Sequence, residues 1–85
     1  MDTVLEKKMI PTSAIIQDIA LDVTWSKIAS RYFPDKSIPW FYNKLRGVDG
    51  NGGAGDFTYS ERMQLRNALF DFAERIRHVA ECIEI

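Results

Sequence analysis

Residues 25–47 read WSKIASRYFPDKSIPWFYNKLRG, and the way this stretch folds decides how the rest of the chain is organised. Trp25, Ile28, Ala29 and Tyr32 stand at i, i+3, i+4 and i+7, and Ile38, Phe41, Tyr42 and Leu45 repeat the spacing. On a helix of 3.6 residues per turn this gathers the side chains into one stripe, whereas a strand scatters them over both faces. Two short amphipathic helices are therefore predicted, joined by the connection FPDK, with the eight stripe residues as their shared core. Thr24 and Ser37 stand just before them, where a short oxygen-bearing side chain accepts from a free N–H of the first turn. Pro34 closes the first helix, and Pro39 falls in the first turn of the second, where its missing N–H costs nothing. Gly47 follows at the place where a helix end favours positive φ.

Upstream, Ile16, Ile19, Ala20 and Val23 show the same spacing and predict another short helix, started by Thr12 or Ser13 with Pro11 just outside. Downstream, residues 47–56, GVDGNGGAGD, hold all five glycines. A phosphate loop of the Walker type needs a lysine, and none follows Lys44; a calcium loop starting at Asp49 puts Ser60 where a bidentate glutamate is required. The Asp-Gly and Asn-Gly pairs instead predict a turn or small hairpin that connects two parts.

After it, Thr58 with Glu61 forms a capping box. Leu65, Leu69, Phe72, Ile76, Val79 and Ile83 then follow in alternating steps of four and three, the seam of a long bundle or coiled-coil helix. It is predicted to run from about Tyr59 to about Glu84, longer than the other helices can cover. Leu69, Phe72, Ile76, Val79 and Ile83 are therefore expected to meet a second copy in a homodimer. The fold class expected is all-α: one small helical domain over 1–85 with a helix-turn-helix. The helix-turn-helix unit occupies about 12–47, the Gly-rich loop 47–56 and the C-terminal helix about 58–84.

Eighty-five residues suffice for one modest core, and 46% apolar with 27% charged residues is ordinary for a soluble globular chain. Cys82 has no second thiol to pair with, and His78 with Cys82 at i, i+4 supplies two metal ligands where zinc needs a second pair. No nucleophile elbow or carboxylate pair is present, and the single histidine has no nucleophile to activate, so no enzyme, cofactor or metal is expected. The N-terminus lacks the apolar core of a signal peptide and no run reaches membrane-spanning length, so a cytoplasmic protein without a membrane partner is expected.

The net charge of −1 conceals a segregation. Residues 24–46 carry Lys27, Arg31, Lys36, Lys44 and Arg46 against Asp35, a net +4, while 1–23 and 56–85 each carry −2 and 47–55 carries −1. Lysine and arginine neutralise phosphates, and asparagine and arginine can pair with base edges. Lys27, Arg31, Lys36, Ser37, Asn43, Lys44 and Arg46 are accordingly the candidate contacts to double-stranded DNA, Ser37 from a helix start whose free N–H groups favour an anion. Trp40 lies opposite Ile38 and Leu45 on the helical wheel, and is expected to pack on the first or fourth helix or to anchor an interface.

The stretch 25–47 resembles the helix-turn-helix of the lambda-repressor and Cro-like class, which implies a DNA-binding transcriptional regulator. Phe33 and Pro34 stand where the repressor turn has glycine, so base contacts are not carried over. Residues 13–77 resemble a family of short uncharacterised bacterial proteins, a domain of unknown function, through W-x-x-I-A-x-x-Y-F, W-F-Y-x-K-L-x-G, G-N-G and F-T-x-x-E-x-x-x-L-x-x-A-L. The alternative to DNA binding is a non-enzymatic protein-interaction module, adaptor or antitoxin-like, with Trp40, Tyr42 and Tyr59 as its contact.

Overall fold

The computed structural model describes residues 10–49 and 53–85, and over these the chain is all-α, three short helices followed by one long one. α1 is Thr12–Ile15 and runs into a 3-10 turn, Ile16–Ile19. α2 is Trp25–Tyr32, α3 is Ile38–Arg46 and α4 is Tyr59–Cys82. Among the described residues the only extended pairing is an isolated antiparallel bridge, Val48 to Ala54. No helix among them is long and apolar enough to cross a membrane.

The first segment differs from its prediction. The stripe Ile16, Ile19, Ala20 and Val23 is not one helix: α1 starts earlier and gives way to 3-10 geometry at Ile16. The Trp25 indole N–H donates to the Ala20 carbonyl at 2.9 Å, taking the acceptor that a continuing helix would offer Thr24. Ile16 is still buried, and Ile19 and Val23 pack on the core. Neither Thr12 nor Ser13 caps this segment. The Pro11 carbonyl accepts from Ala14 and Ile15, while Thr12 lies inside the first turn and is buried.

The later boundaries follow the local chemistry closely. Ser37 Oγ accepts from the Trp40 N–H at 3.1 Å, and Gly47 ends α3 at φ 79°. In the capping box, Thr58 Oγ1 accepts from the Glu61 N–H and Glu61 Oε1 accepts from the Thr58 N–H, at 3.2 and 2.8 Å. Thr24, by contrast, makes no side-chain cap to α2. The glycine stretch turns back on itself, with Asp49 N–H to Gly53 carbonyl at 2.8 Å and Gly55 N–H to Gly47 carbonyl at 2.9 Å. The Asp-Gly and Asn-Gly pairs, 49–50 and 51–52, include residues 50–52, which lie outside the described residues.

The core holds Trp25, Ile28, Ala29, Phe41 and Leu45 of the expected set, with Tyr32, Ile38 and Tyr42 packed around it. Two residues left to connections by the periodicity also belong to it: Phe33, fully buried, and Phe57. Phe33 meets the rings of Trp40, Phe41 and Phe57 at centroid distances of 5.9, 5.2 and 6.2 Å. Trp40 is half-buried and packs edge-on against Phe57 at 5.8 Å, so its ring neighbours are Phe33 and Phe57 of the two connections and Phe41 of α3. Leu65 and Ala68 bring the proximal half of α4 onto this cluster, and Phe72 is the last residue of α4 to pack there.

Candidate nucleic-acid interface

The cations of α2 and α3 fall on two separate surfaces. Lys27 and Arg31 line a depression of about 570 Å³ with Asp22, Thr24, Phe72 and Arg75, where α2 meets α4. Arg75 was not among the sequence candidates. The signal for it is its place three residues after Phe72, the last seam residue that packs on the core. Its guanidinium donates to the Tyr32 hydroxyl at 3.4 Å, and that hydroxyl donates in turn to Asp71.

The second surface gathers Ser37, Asn43 and Lys44 around Trp40, with Asp49 beside them, in a depression of about 410 Å³. Lys36 Nζ stands 5.0 Å from the centre of the Trp40 ring and Lys44 Nζ 5.9 Å, within the reach of cation–π attraction. Lys44 is half-buried and donates to the Asp56 carbonyl at 3.0 Å, so part of its hydrogen-bonding capacity serves the fold. Asn43 Oδ1 accepts from Arg46 at 2.6 Å, which orients both side chains along α3.

Among the described residues, the salt bridges join Arg62 to Asp56 and Arg77 to Glu74 and Glu81. Lys27, Arg31, Lys36, Lys44 and Arg46 make none. Among the described residues, the cations of residues 24–46 are therefore free of salt bridges.

One carboxylate nearby is fixed by its partners. Partial burial pushes the Asp56 carboxyl up. The Thr12 N–H and side chain, the Phe57 N–H and the Arg62 charge outweigh this and hold it below the ordinary value of 3.8. It is a structural anchor between α1 and α4, and it orients the carbonyl that Lys44 uses.

The residues expected to pair two copies divide. Leu69 and Phe72 pack on the chain's own core, while Ile76, Val79 and Ile83 are 53%, 59% and 67% exposed. His78 Nε2 and Cys82 Sγ lie 3.8 Å apart, and no group of three metal-ligating side chains occurs among the described residues. Trp40 and Tyr42 are half-buried and Tyr59 is exposed on a different depression, so these three do not form one patch.

A family model described as Domain of unknown function (DUF5053) matches residues 12–83. No curated protein and no solved structure matches the chain.

Proposed function

This chain belongs to the DUF5053 family, and we propose that it is a small non-enzymatic DNA-binding protein of helix-turn-helix type, a transcriptional regulator that works as a homodimer. One observation carries the reading: among the described residues, the five cations of α2, α3 and the connection between them form no salt bridge with a carboxylate, in a segment of net charge +4. Unneutralised lysines and arginines on one short segment are what phosphate binding requires, and counterion release then supplies affinity. Lys27, Arg31, Lys36 and Arg46 contact the backbone. Asn43 is the α3 side chain of a type that pairs with base edges.

The second reading is a protein-interaction module. It is supported by the exposed apolar side chains Ile76, Val79 and Ile83 on α4, which the DNA reading assigns to self-association.

Measuring duplex DNA affinity against salt concentration tests the proposal. Log K is expected to fall by ~0.9 per neutralised phosphate for each decade of salt. Affinity no greater than that of a charge-matched control protein at low salt overturns it.

A further inference from the structure

On another face of α4 from the one packed on α2 lies an apolar groove of about 400 Å³ between α1 and the proximal half of α4. Ile15 lines it from α1, and Tyr59, Arg62, Met63, Arg66 and Leu69 line it from α4. Ile15 and Tyr59 are 53% and 75% exposed, which leaves the groove apolar and open.

The groove residues of α4 belong to a second heptad line. Tyr59, Arg62, Arg66 and Leu69 are spaced by three, four and three, and the same alternation continues through Ala73, Ile76, Ala80 and Ile83. Beyond Leu69 this line is apolar at every position. Beyond Arg75 every residue of α4 is exposed, and its side-chain hydrogen bonds and ion pairs are made within the helix itself. A projecting helical segment of this length is marginal in water unless an apolar face is covered.

Charge indicates what covers it. The proximal half, residues 59–70, has Arg62 and Arg66 against Glu61, a net +1; residues 71–85 have Asp71, Glu74, Glu81 and Glu84 against Arg75 and Arg77, a net −2. Arg62 is held by Asp56, so the cation of this half without a carboxylate partner among the described residues is Arg66; Arg77 is already held between Glu74 and Glu81 at 3.0 and 2.7 Å. Two α4 helices laid parallel set like charge against like; laid antiparallel, they set the basic half of each on the acidic half of the other.

We propose that the groove takes the distal half of α4 from a second copy, in an antiparallel two-fold pairing that seats Ile76 and Ile83 of each copy against the groove of the other. Such an interface is self-complementary, each copy giving a distal helix and receiving one. The inference rests on the self-association named above and adds its direction and its seat. It does not depend on DNA binding. Arg75 lies nine residues, two and a half turns, from Arg66, so the Lys27 and Arg31 surface stays open in the pair.

Sedimentation equilibrium of the full chain, with a nitroxide on the native Cys82 thiol for a distance measurement, tests this. Cys82 is exposed, so labelling needs no substitution. A dimer is expected, with labels more than ~30 Å apart because the two helices run in opposite directions at 1.5 Å per residue. Ile76→Glu on the distal helix and Ile15→Glu in the groove are each expected to weaken the dimer by at least about tenfold, with the near-ultraviolet circular dichroism of the aromatic core unchanged. A dimer with labels within ~20 Å, or one that Ile76→Glu breaks and Ile15→Glu does not, overturns the antiparallel seat while leaving self-association standing. A chain that stays monomeric, because the groove takes another partner or none, overturns both.

Discussion

Arg62 donates to Asp56 Oδ2 at 3.1 Å, and the same guanidinium nitrogen reaches Thr12 Oγ1 at 2.8 Å, so one side chain of α4 fixes both the connection before it and the start of α1. The Thr12 N–H donates back to Asp56 Oδ2 at 3.0 Å and closes the network. These three residues hold together parts of the chain up to 50 positions apart. Because the network is partly buried, losing one member leaves hydrogen-bonding groups on the other two unsatisfied.

Asp56→Ala is expected to destabilise the fold by about 1–3 kcal/mol, since the Thr12 N–H and the Arg62 guanidinium lose their acceptor. Urea unfolding at neutral pH measures it. An unchanged midpoint contradicts the role assigned to this carboxylate.

The same carboxyl predicts a direction of pH dependence. Its folded-state pKa lies below 3.8, so the unfolded chain binds its proton more readily than the folded one. The stability it contributes is complete above the unfolded-chain value and is lost as pH falls through the folded-state value. Urea midpoints followed from neutral pH to below pH ~4 should fall more steeply for the natural chain than for Asp56→Ala.

Phe33→Ala is expected to cost about 3–5 kcal/mol, the range for removing a buried aromatic side chain. Phe33 is fully enclosed and touches three other rings, so the surrounding core has little freedom to collapse into the gap. For an 85-residue chain that is a large part of the whole stability. Thermal unfolding followed by circular dichroism reads the loss.

Gly47→Ala is expected to destabilise by about 1–2 kcal/mol, because Gly47 holds φ 79°, where a Cβ is strained. That Cβ would also come within 3.3 Å of Ser13 Oγ, so the Ser13 hydroxyl has to shift by a few tenths of an ångström. Denaturant unfolding compared with the natural chain measures the cost.

Lys27 and Lys44 separate binding from folding. Lys27→Met is expected to lower the salt dependence of duplex binding by ~0.9 per decade while leaving stability within about 0.5 kcal/mol. Lys44→Met is expected to cost about 0.5–1.5 kcal/mol of stability, because its ammonium is hydrogen-bonded to the Asp56 carbonyl. Paired salt titrations and melting curves on the two variants give both readouts.

The sequence by itself determined what depends on neighbours a few residues away. The stripes of α2 and α3, the Ser37 cap, Gly47 at positive φ and the Thr58 capping box are each encoded within one or two helical turns. Local rules failed where a distant side chain intervened. The predicted first helix does not extend past Ala20, whose carbonyl the Trp25 indole takes, and Thr12 serves Arg62 instead of capping its own segment. Phe33 and Phe57 read as connection residues because they lie outside any periodic run, yet they pack against each other and against Trp40 and Phe41 of α3 and join the core. Likewise, charge counting located the basic segment, but only the packing of α2 on α4 divided its cations between two surfaces and added Arg75 to one. Periodicity and capping are short-range, whereas burial and hydrogen-bond partners are set by which distant residues the folded chain brings within a few ångströms.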